Sequence, residues 1–359
     1  MVEAIGLEKI TKKVKKDLNS KKDVLLFAFN ATGKTRLSRQ FENTNESITA
    51  LYYNALIEDY FSWDNEEHTL TFTTNAWLYK FIKDEGLEND IAATFNTFTD
   101  IKIDPLIDFE TGNIQFQIIN EKSRKEFIKI SKGEETLFKW SVFYSALKKV
   151  LDILNEKPES RSTDEYNNLK FIVLDDPISS LDEFKIYTLS MQIIEMMRFT
   201  HEKNINISFL ISTHHTMFYN ILYNTMKKRN KKRKIKSLFY MMIKENYNLI
   251  LTSLNDQGLI SYHIKSLLEI HNAFINNTIK KIHYNMFRSV LEKSSIFLGY
   301  SNWLDLFQKY ENREKLSKIV NMNSHERYAE LETEYLTQEQ IDEFKNGFDY
   351  FIKTYKIKL

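Results

Sequence analysis

Residues 23–38, DVLLFAFNATGKTRLS, constrain the fold more than any other stretch of the chain. An apolar run ends at Asn30, a Gly-Lys-Thr triplet follows, and a helix-forming segment begins at once. In that strand–loop–helix order, backbone N–H groups and a helix N-terminus cradle phosphates. A lysine reaches the terminal phosphates and a hydroxyl ligates Mg²⁺. The usual spacing is G-x-x-x-x-G-K-[ST], and here Ala28 stands at the first glycine. Alanine costs little there provided its backbone stays out of the glycine-only region. Gly33, Lys34 and Thr35 are the candidate nucleotide contacts, flanked by Asn30 and Arg36, with Thr35 a candidate Mg²⁺ ligand. An ordinary strand–turn–helix is the competing explanation for the loop in isolation.

Composition narrows the setting. The 359 residues suggest two domains, and 42% hydrophobic content suffices for a core. Only 8 glycines and 3 prolines leave little material for long flexible linkers. A net charge of +1 decides nothing about nucleic acid, so local charge must. The absence of cysteine excludes disulfides, thiolate metal sites and cysteine nucleophiles. The N-terminus is charged, and no apolar run reaches the length of a membrane span. The expectation is a soluble, cytoplasmic protein without a membrane partner.

Farther along, SKGEETLFKWSVFYSALKKVLDIL (131–154) reads as an amphipathic helix and NEKPESRSTDEYNN (155–168) as a surface loop. LKFIVLDDP (169–177) and INISFLIST (205–213) read as buried strands. Strands alternating with helices predict an α/β domain with a mainly parallel sheet. From about residue 255 the pattern turns helical, in ISYHIKSLLEIHNAFINN, KKIHYNMFRSVLEKSSIFLGY and the tail after 336. The expected division is 1–255 and 256–359.

Other motifs strengthen the phosphate loop. FIVLDD ends in Asp175, placed to hold Mg²⁺ through water, and Asp176, placed to polarise an attacking water. PISSLD brings Asp182, FLISTHH ends in His214 and His215, and ISKGEE opens a helix with Ser131, Gly133 and Glu134. This order resembles the P-loop ABC-type ATPases of the SMC, Rad50 and RecF kind. The resemblance implies bound ATP or GTP with Mg²⁺, hydrolysis assisted by Asp176 and His214, and nucleotide contacts from Ser131, Gly133, Glu134 and Asp182. It also implies a homodimer or higher oligomer, in which the signature serine of one head touches nucleotide held by the other. Asp176 stands where that family usually has glutamate. About a hundred residues separate loop from signature, too few for a long coiled-coil arm.

The C-terminal region holds Arg288 and Glu292, four apart and so on one helical face. His325 follows 33 residues later, in NMNSHERY. Arg, Glu and His suffice for RNA cleavage by the 2′-OH: a base takes its proton, an acid protonates the leaving 5′-oxygen, and a cation stabilises the phosphorane. An Arg–Glu pair at this spacing is in most proteins a solvated salt bridge. Resemblance adds to this reading. FAFNATGKTRLSRQF, LYYNALIEDYFSWDN, SKGEETLFKWSVFYSAL, VLDDPISSLD, STHHTMFYNILYN and FRSVLEKSSIFLGYSNW followed by NSHE are together similar to the PrrC-type anticodon nucleases, over about residues 20–330. That family is a bacterial anti-phage ribonuclease. It cuts tRNA, chiefly lysine tRNA, in the anticodon loop and leaves a cyclic phosphate and a 5′-OH. A type I restriction–modification complex keeps it silent. Its catalytic residues fall on Arg288, Glu292 and His325.

KKRNKKRKIK (227–236) has eight cations in ten residues, either solvated surface or a tRNA backbone contact. Tyr262, His263 and Lys265 are candidate contacts to loop bases. A second reading keeps the ATPase but makes the C-terminal domain a module that binds a partner or DNA without cutting RNA.

Overall fold

The computed structural model describes residues 4–30, 32–41, 48–54, 60–64, 66, 69–119, 125–178, 181–233, 237–245, 248–254, 262–324 and 336–357. It divides into two units, Met1–Leu259 and Ile260–Leu359.

The first unit begins with β1 (Ala4–Ile5), α1 (Leu7–Asn19), β2 (Asp23–Ala28) and α2 (Lys34–Ser38). Every residue of β2 is buried, as expected of a strand covered on both faces. β3 (Ala50–Asn54) is followed by β4 (Phe61–Asp64), β5 (Thr69–Phe72), α3 (Trp77–Glu85) and α4 (Glu88–Phe95). β6 (Ile103–Ile107), β7 (Asn113–Ile119) and β8 (Lys125–Ile128) lead to α5 (Lys132–Asn155). Next come β9 (Phe171–Asp175), α6 (Glu183–Glu202), β10 (Ser208–Thr213) and α7 (Thr216–Arg233), and the unit closes with β11 (Ser237–Glu245) and β12 (Asn248–Ser253).

The main sheet runs β1-β12-β11-β2-β10-β9-β3. From β11 to β3 every pairing is parallel, as the alternating pattern predicts. In register, Thr213 lies opposite Phe27, and Asp175 lies opposite both Ser212 and Asn54. The carboxyl ends of β2, β9 and β10 therefore share one edge, where ligands of such sheets bind.

Three features go beyond the expectation. First, β4, β5, β7 and β6, with β8 beside β7, form a separate antiparallel sheet. The alternation of NIQFQII in β7, with Ile114 and Phe116 buried and Gln115 exposed, marks one of its strands, but their pairing into a second sheet is tertiary. Second, β11 and β12 form a hairpin that adds antiparallel pairing to the main sheet. Third, α5 is not amphipathic along its middle, because residues 137–147 are buried on every side. It is wedged between the two sheets: Phe138 packs on Phe61, Phe95 and Phe116, while Tyr53 of β3 packs on Trp140 and Phe143. Burying an aromatic of this size is worth roughly 1.5–3 kcal/mol. The polar groups drawn in with α5 are paired. Trp140 Nε1 donates to Gln192 Oε1 at 2.7 Å. Lys139, 3% exposed, meets Glu135 Oε1 at 2.6 Å.

The second unit is helical: α8 (Tyr262–Ile275), α9 (Lys281–Phe297), α10 (Arg313–Ser324) and α11 (Gln338–Thr354). Its core joins Tyr284 and Phe287 of α9 to Phe344, Phe348 and Phe351 of α11. The Tyr284 and Phe344 rings stack at 4.0 Å. α10, with Leu316 and Val320 inward, was not foreseen as a separate helix. Among the described residues, no helix is long and apolar enough to cross a membrane.

Candidate nucleotide site and candidate nuclease residues

β2 delivers its backbone to the loop, and α2 begins at Lys34. Gly33 takes φ +96°, ψ +19°, a left-handed conformation that strongly favours glycine and turns the chain into the helix. Ala28 is still strand, opposite Met242 of β11, so the first glycine of the usual pattern has no special backbone to serve here. Lys34 is buried, and its Nζ donates to the Ala28 carbonyl at 3.0 Å and to Asn30 Oδ1 at 3.4 Å. Asp176 Oδ2 lies 3.4 Å from the same Nζ.

Around these residues is a cavity of about 450 Å³. Asn30, Gly33, Lys34, Thr35, Arg36 and Asp176 line it. The sequence did not single out Leu7, Phe29, Thr32, Lys244 and Leu249, which complete its wall. α1 and the β11–β12 hairpin bring Leu7, Lys244 and Leu249 there from distant parts of the chain, without a local motif to mark them.

Asp176 adopts φ +52°, an uncommon conformation for a non-glycine residue, more accessible to Asp than to most. Its carboxylate accepts from Thr213 Oγ1 at 3.1 Å and from the His214 backbone N–H at 3.4 Å, and meets His214 Nδ1. Asp175 is 2% exposed, is not part of the cavity wall, and accepts hydrogen bonds from Ser212 and from Tyr52, the latter at 3.3 Å. Burial of His215, with His214 beside it, lowers its pKa against the opposing pull of Asp176. The hydroxyls of Ser212 and Thr213 were in view in STHH but were not singled out.

The remaining nucleotide candidates lie elsewhere in the unit. Ser131 caps α5: its Oγ accepts the Glu134 N–H at 3.3 Å, and Glu134 Oε2 accepts the Ser131 N–H at 2.7 Å. That reciprocal capping box explains Ser and Glu at this spacing without any ligand. Ser131 is exposed, and Ser131, Gly133 and Glu134 do not line the cavity. Asp182 caps α6 by accepting the Lys185 N–H at 2.9 Å, and it too lies outside the cavity wall.

A nucleotide with Mg²⁺ fits the residues present. Lys34 is a buried ammonium facing one carbonyl, one amide and one carboxylate. Asp175 is a buried carboxylate with hydroxyl partners and, among the described residues, no ion-pair partner. Lys34 has Asp176 as a counter-charge at 3.4 Å, on the cavity wall where phosphates would be its second anionic partner.

In the second unit, Arg288 Nε donates to Glu292 Oε1 at 2.8 Å on α9, with Glu292 exposed and Arg288 half-buried. His325 lies outside the described residues, as do Lys234 and the side chains of Tyr262, Lys265, Lys231, Lys232 and Arg233. His263 is half-buried, and burial with Lys293 nearby lowers its pKa.

The mainly parallel sheet, the phosphate loop at its edge and the aspartate beyond β9 define a P-loop ATPase. Residues 105–353 match a family model described as an AAA domain. An Escherichia coli protein described as an anticodon nuclease is 32% identical over 353 residues, spanning 89% of this chain and 86% of that protein. A crystal structure of an SMC head bound to the C-winged helix domain of ScpA aligns over 65% of this chain and 90% of that one, with a TM-score of 0.36 and 9% identity. The chain belongs to the anticodon nuclease family and is a ribonuclease with an ATPase domain.

Proposed function

We propose that this protein cleaves tRNA in the anticodon loop, under control of nucleotide bound at the head. The observation that carries the reading is the Arg288–Glu292 contact of 2.8 Å on an accessible face of α9, in a chain akin to an anticodon nuclease over nearly its whole length. An exposed pair at this spacing is by itself the common solvated salt bridge, and it is the kinship to an anticodon nuclease that supports reading it as a site.

In the proposed reaction Glu292 takes the proton of the 2′-OH, and the freed oxygen attacks the adjacent phosphorus. Arg288 stabilises the charge that gathers on the phosphoryl oxygens. His325 gives a proton to the departing 5′-oxygen as its bond to phosphorus breaks. The products are a 2′,3′-cyclic phosphate and a 5′-OH, and DNA is refused because it lacks the nucleophile. Lysine tRNA as substrate, the anti-phage role and silencing by a type I restriction–modification complex are carried by the resemblance.

At the head, ATP or GTP with Mg²⁺ would supply the hydrolysis that gates cleavage. Lys34, Asn30 and the backbone after Gly33 hold phosphates, with Arg36 at the rim. Thr35 and Asp175 would hold the cation. Asp176, oriented by Thr213 and His214, accepts a proton from the attacking water. Ser131, Gly133, Glu134 and Asp182 stand on exposed helix ends outside their own chain's cavity, which suits contact with nucleotide held by a second head. Incubation with total tRNA followed by denaturing electrophoresis tests the proposal. Discrete fragments ending in a cyclic phosphate support it, and intact tRNA with active nucleotide hydrolysis points to a head that drives something else.

A further inference from the structure

The cavity at the head has a second end that the phosphate chemistry does not use. In the main sheet β10 and β9 lie on one side of β2, and β11 and β12 lie on the other. Asp176, which follows β9, marks the first side of the cavity, and Leu7, Lys244 and Leu249 mark the second. Adjacent strands are about 4.8 Å apart, so β12 stands about 10 Å to the side of β2.

Strand register draws these three residues together. Met242 of β11 lies opposite Ala28, and Lys244, two residues on, shares its face of the sheet. Lys244 is opposite Leu249 of β12, and Leu249 is opposite Ile5 of β1. Two residues after Ile5, α1 begins at Leu7. Met242 is buried with Ile10 and Val14 of α1, and Leu7 and Leu249 pack at the margin of that core. Lys244 is exposed beyond the margin, on the cavity wall.

A nucleotide in this cavity has its direction set by the chemistry. Its terminal phosphate lies at Lys34 and Asp176, where water is to attack. Its nucleoside then extends the other way, over β11 and β12. The groups there suit a base. Two leucines offer an apolar surface to a flat ring. Lys244 has three donors and no acceptor, which suits a ring nitrogen or carbonyl oxygen on the ring's edge. An apolar wall with a few placed polar groups is the usual make-up of a small-molecule site.

We propose that Leu7, Leu249 and Lys244 form the nucleoside end of the site: the leucines carry the face of the base, and Lys244 donates to its edge. The inference rests on the reading that places phosphates at Lys34.

The test uses the full chain at 0.15 M salt, where charges more than about 8 Å apart are largely screened. Affinities are measured for Mg²⁺-ATP, Mg²⁺-GTP and Mg²⁺-tripolyphosphate, which has the phosphates but no base. Lys244→Met should weaken binding of the better nucleotide by about tenfold or more, the loss of one charge-assisted contact. Tripolyphosphate should bind this variant as it binds wild type. Lys244→Arg keeps a donor and should retain most of the affinity. Leu7→Ala should weaken nucleotide binding and spare tripolyphosphate. As a second measurement, the 8-azido derivative of the better purine nucleotide carries its photoreactive group on the base. On illumination it should label the β11–β12 hairpin or the start of α1. Normal nucleotide binding by Lys244→Met overturns the proposal. Equal losses for nucleotide and tripolyphosphate also overturn it, because Lys244 is then a phosphate contact. Labelling confined to α2 or to the residues around Asp176 overturns it whatever tripolyphosphate does. A Lys34→Ala chain that binds nucleotide like wild type overturns the underlying reading instead.

Discussion

Lys34 Nζ and Asp176 Oδ2 lie 3.4 Å apart, although 142 positions separate them in the chain. The parallel register of β2, β10 and β9 brings them together at one sheet edge. The contact ties the residue expected to hold phosphate to the residue expected to accept a proton during hydrolysis.

Replacing Lys34 by alanine should therefore weaken nucleotide binding strongly. Each charge-assisted contact contributes about 1.5–3 kcal/mol, a loss of roughly 10- to 150-fold in affinity. Calorimetry with Mg²⁺-nucleotide reads this directly. Equal binding by the variant means that the loop does not hold phosphate.

Asp176→Asn keeps the shape of the side chain but removes the base. Hydrolysis should fall by about 10²–10⁴-fold, the usual contribution of a positioned proton acceptor, while nucleotide affinity changes far less. Steady-state phosphate release compared with calorimetric affinity separates the two effects. Loss of affinity with unaltered turnover would reverse the assignment.

Ser131 is exposed and lies outside the cavity wall of its own chain, so the composite-site account makes a mixing prediction. Ser131→Arg alone and Lys34→Ala alone should each be inactive in hydrolysis. Mixed together, they should recover up to one working site per dimer. Full turnover by the Ser131→Arg protein alone rules out a site shared between heads.

Glu135 and Lys139 make a prediction about stability. Burial pushes the Glu135 pKa up, but Lys139 and Lys132 outweigh it and hold the carboxyl below its ordinary value. A depressed carboxylate pKa contributes stability that is present above the unfolded pKa, near 4.3, and is lost as pH falls through the folded pKa. Denaturant titrations should thus show this contribution declining only in acid, below about pH 4. Glu135→Gln leaves Lys139 buried without its partner charge and should cost about 3–5 kcal/mol at pH 7. An undiminished midpoint would show that the pair is not required.

The sequence made β2, β9, β10 and the loop residues legible because their apolar runs end abruptly in polar chemistry. The same logic failed for α5. The pattern of SKGEETLFKWSVFYSAL suggested one apolar face, yet the helix lies between two sheets and buries Lys139 by pairing it with Glu135. That outcome depends on the antiparallel sheet, which covers the Phe138 side of the helix and whose place beside α5 is set only by tertiary folding. Leu7, Lys244 and Leu249 were invisible as site residues because only tertiary folding brings them to the loop. Ser131 and Glu134 were read as a nucleotide signature, and the structure shows that the same spacing serves a helix cap.

The central claim is that the face of α9 bearing Arg288 and Glu292 cuts RNA by way of its 2′-OH. The most direct measurement compares wild type and Glu292→Ala on lysine tRNA, and wild type on the same tRNA with 2′-deoxy nucleotides flanking the wobble position. Mg²⁺-nucleotide binding is followed in parallel. The account predicts cyclic-phosphate fragments from wild type alone, loss of about 10²-fold or more in cutting by Glu292→Ala, no cutting of the deoxy substrate, and unchanged nucleotide binding by the variant. Wild-type rates from Glu292→Ala, or normal cutting of the deoxy substrate, would contradict it.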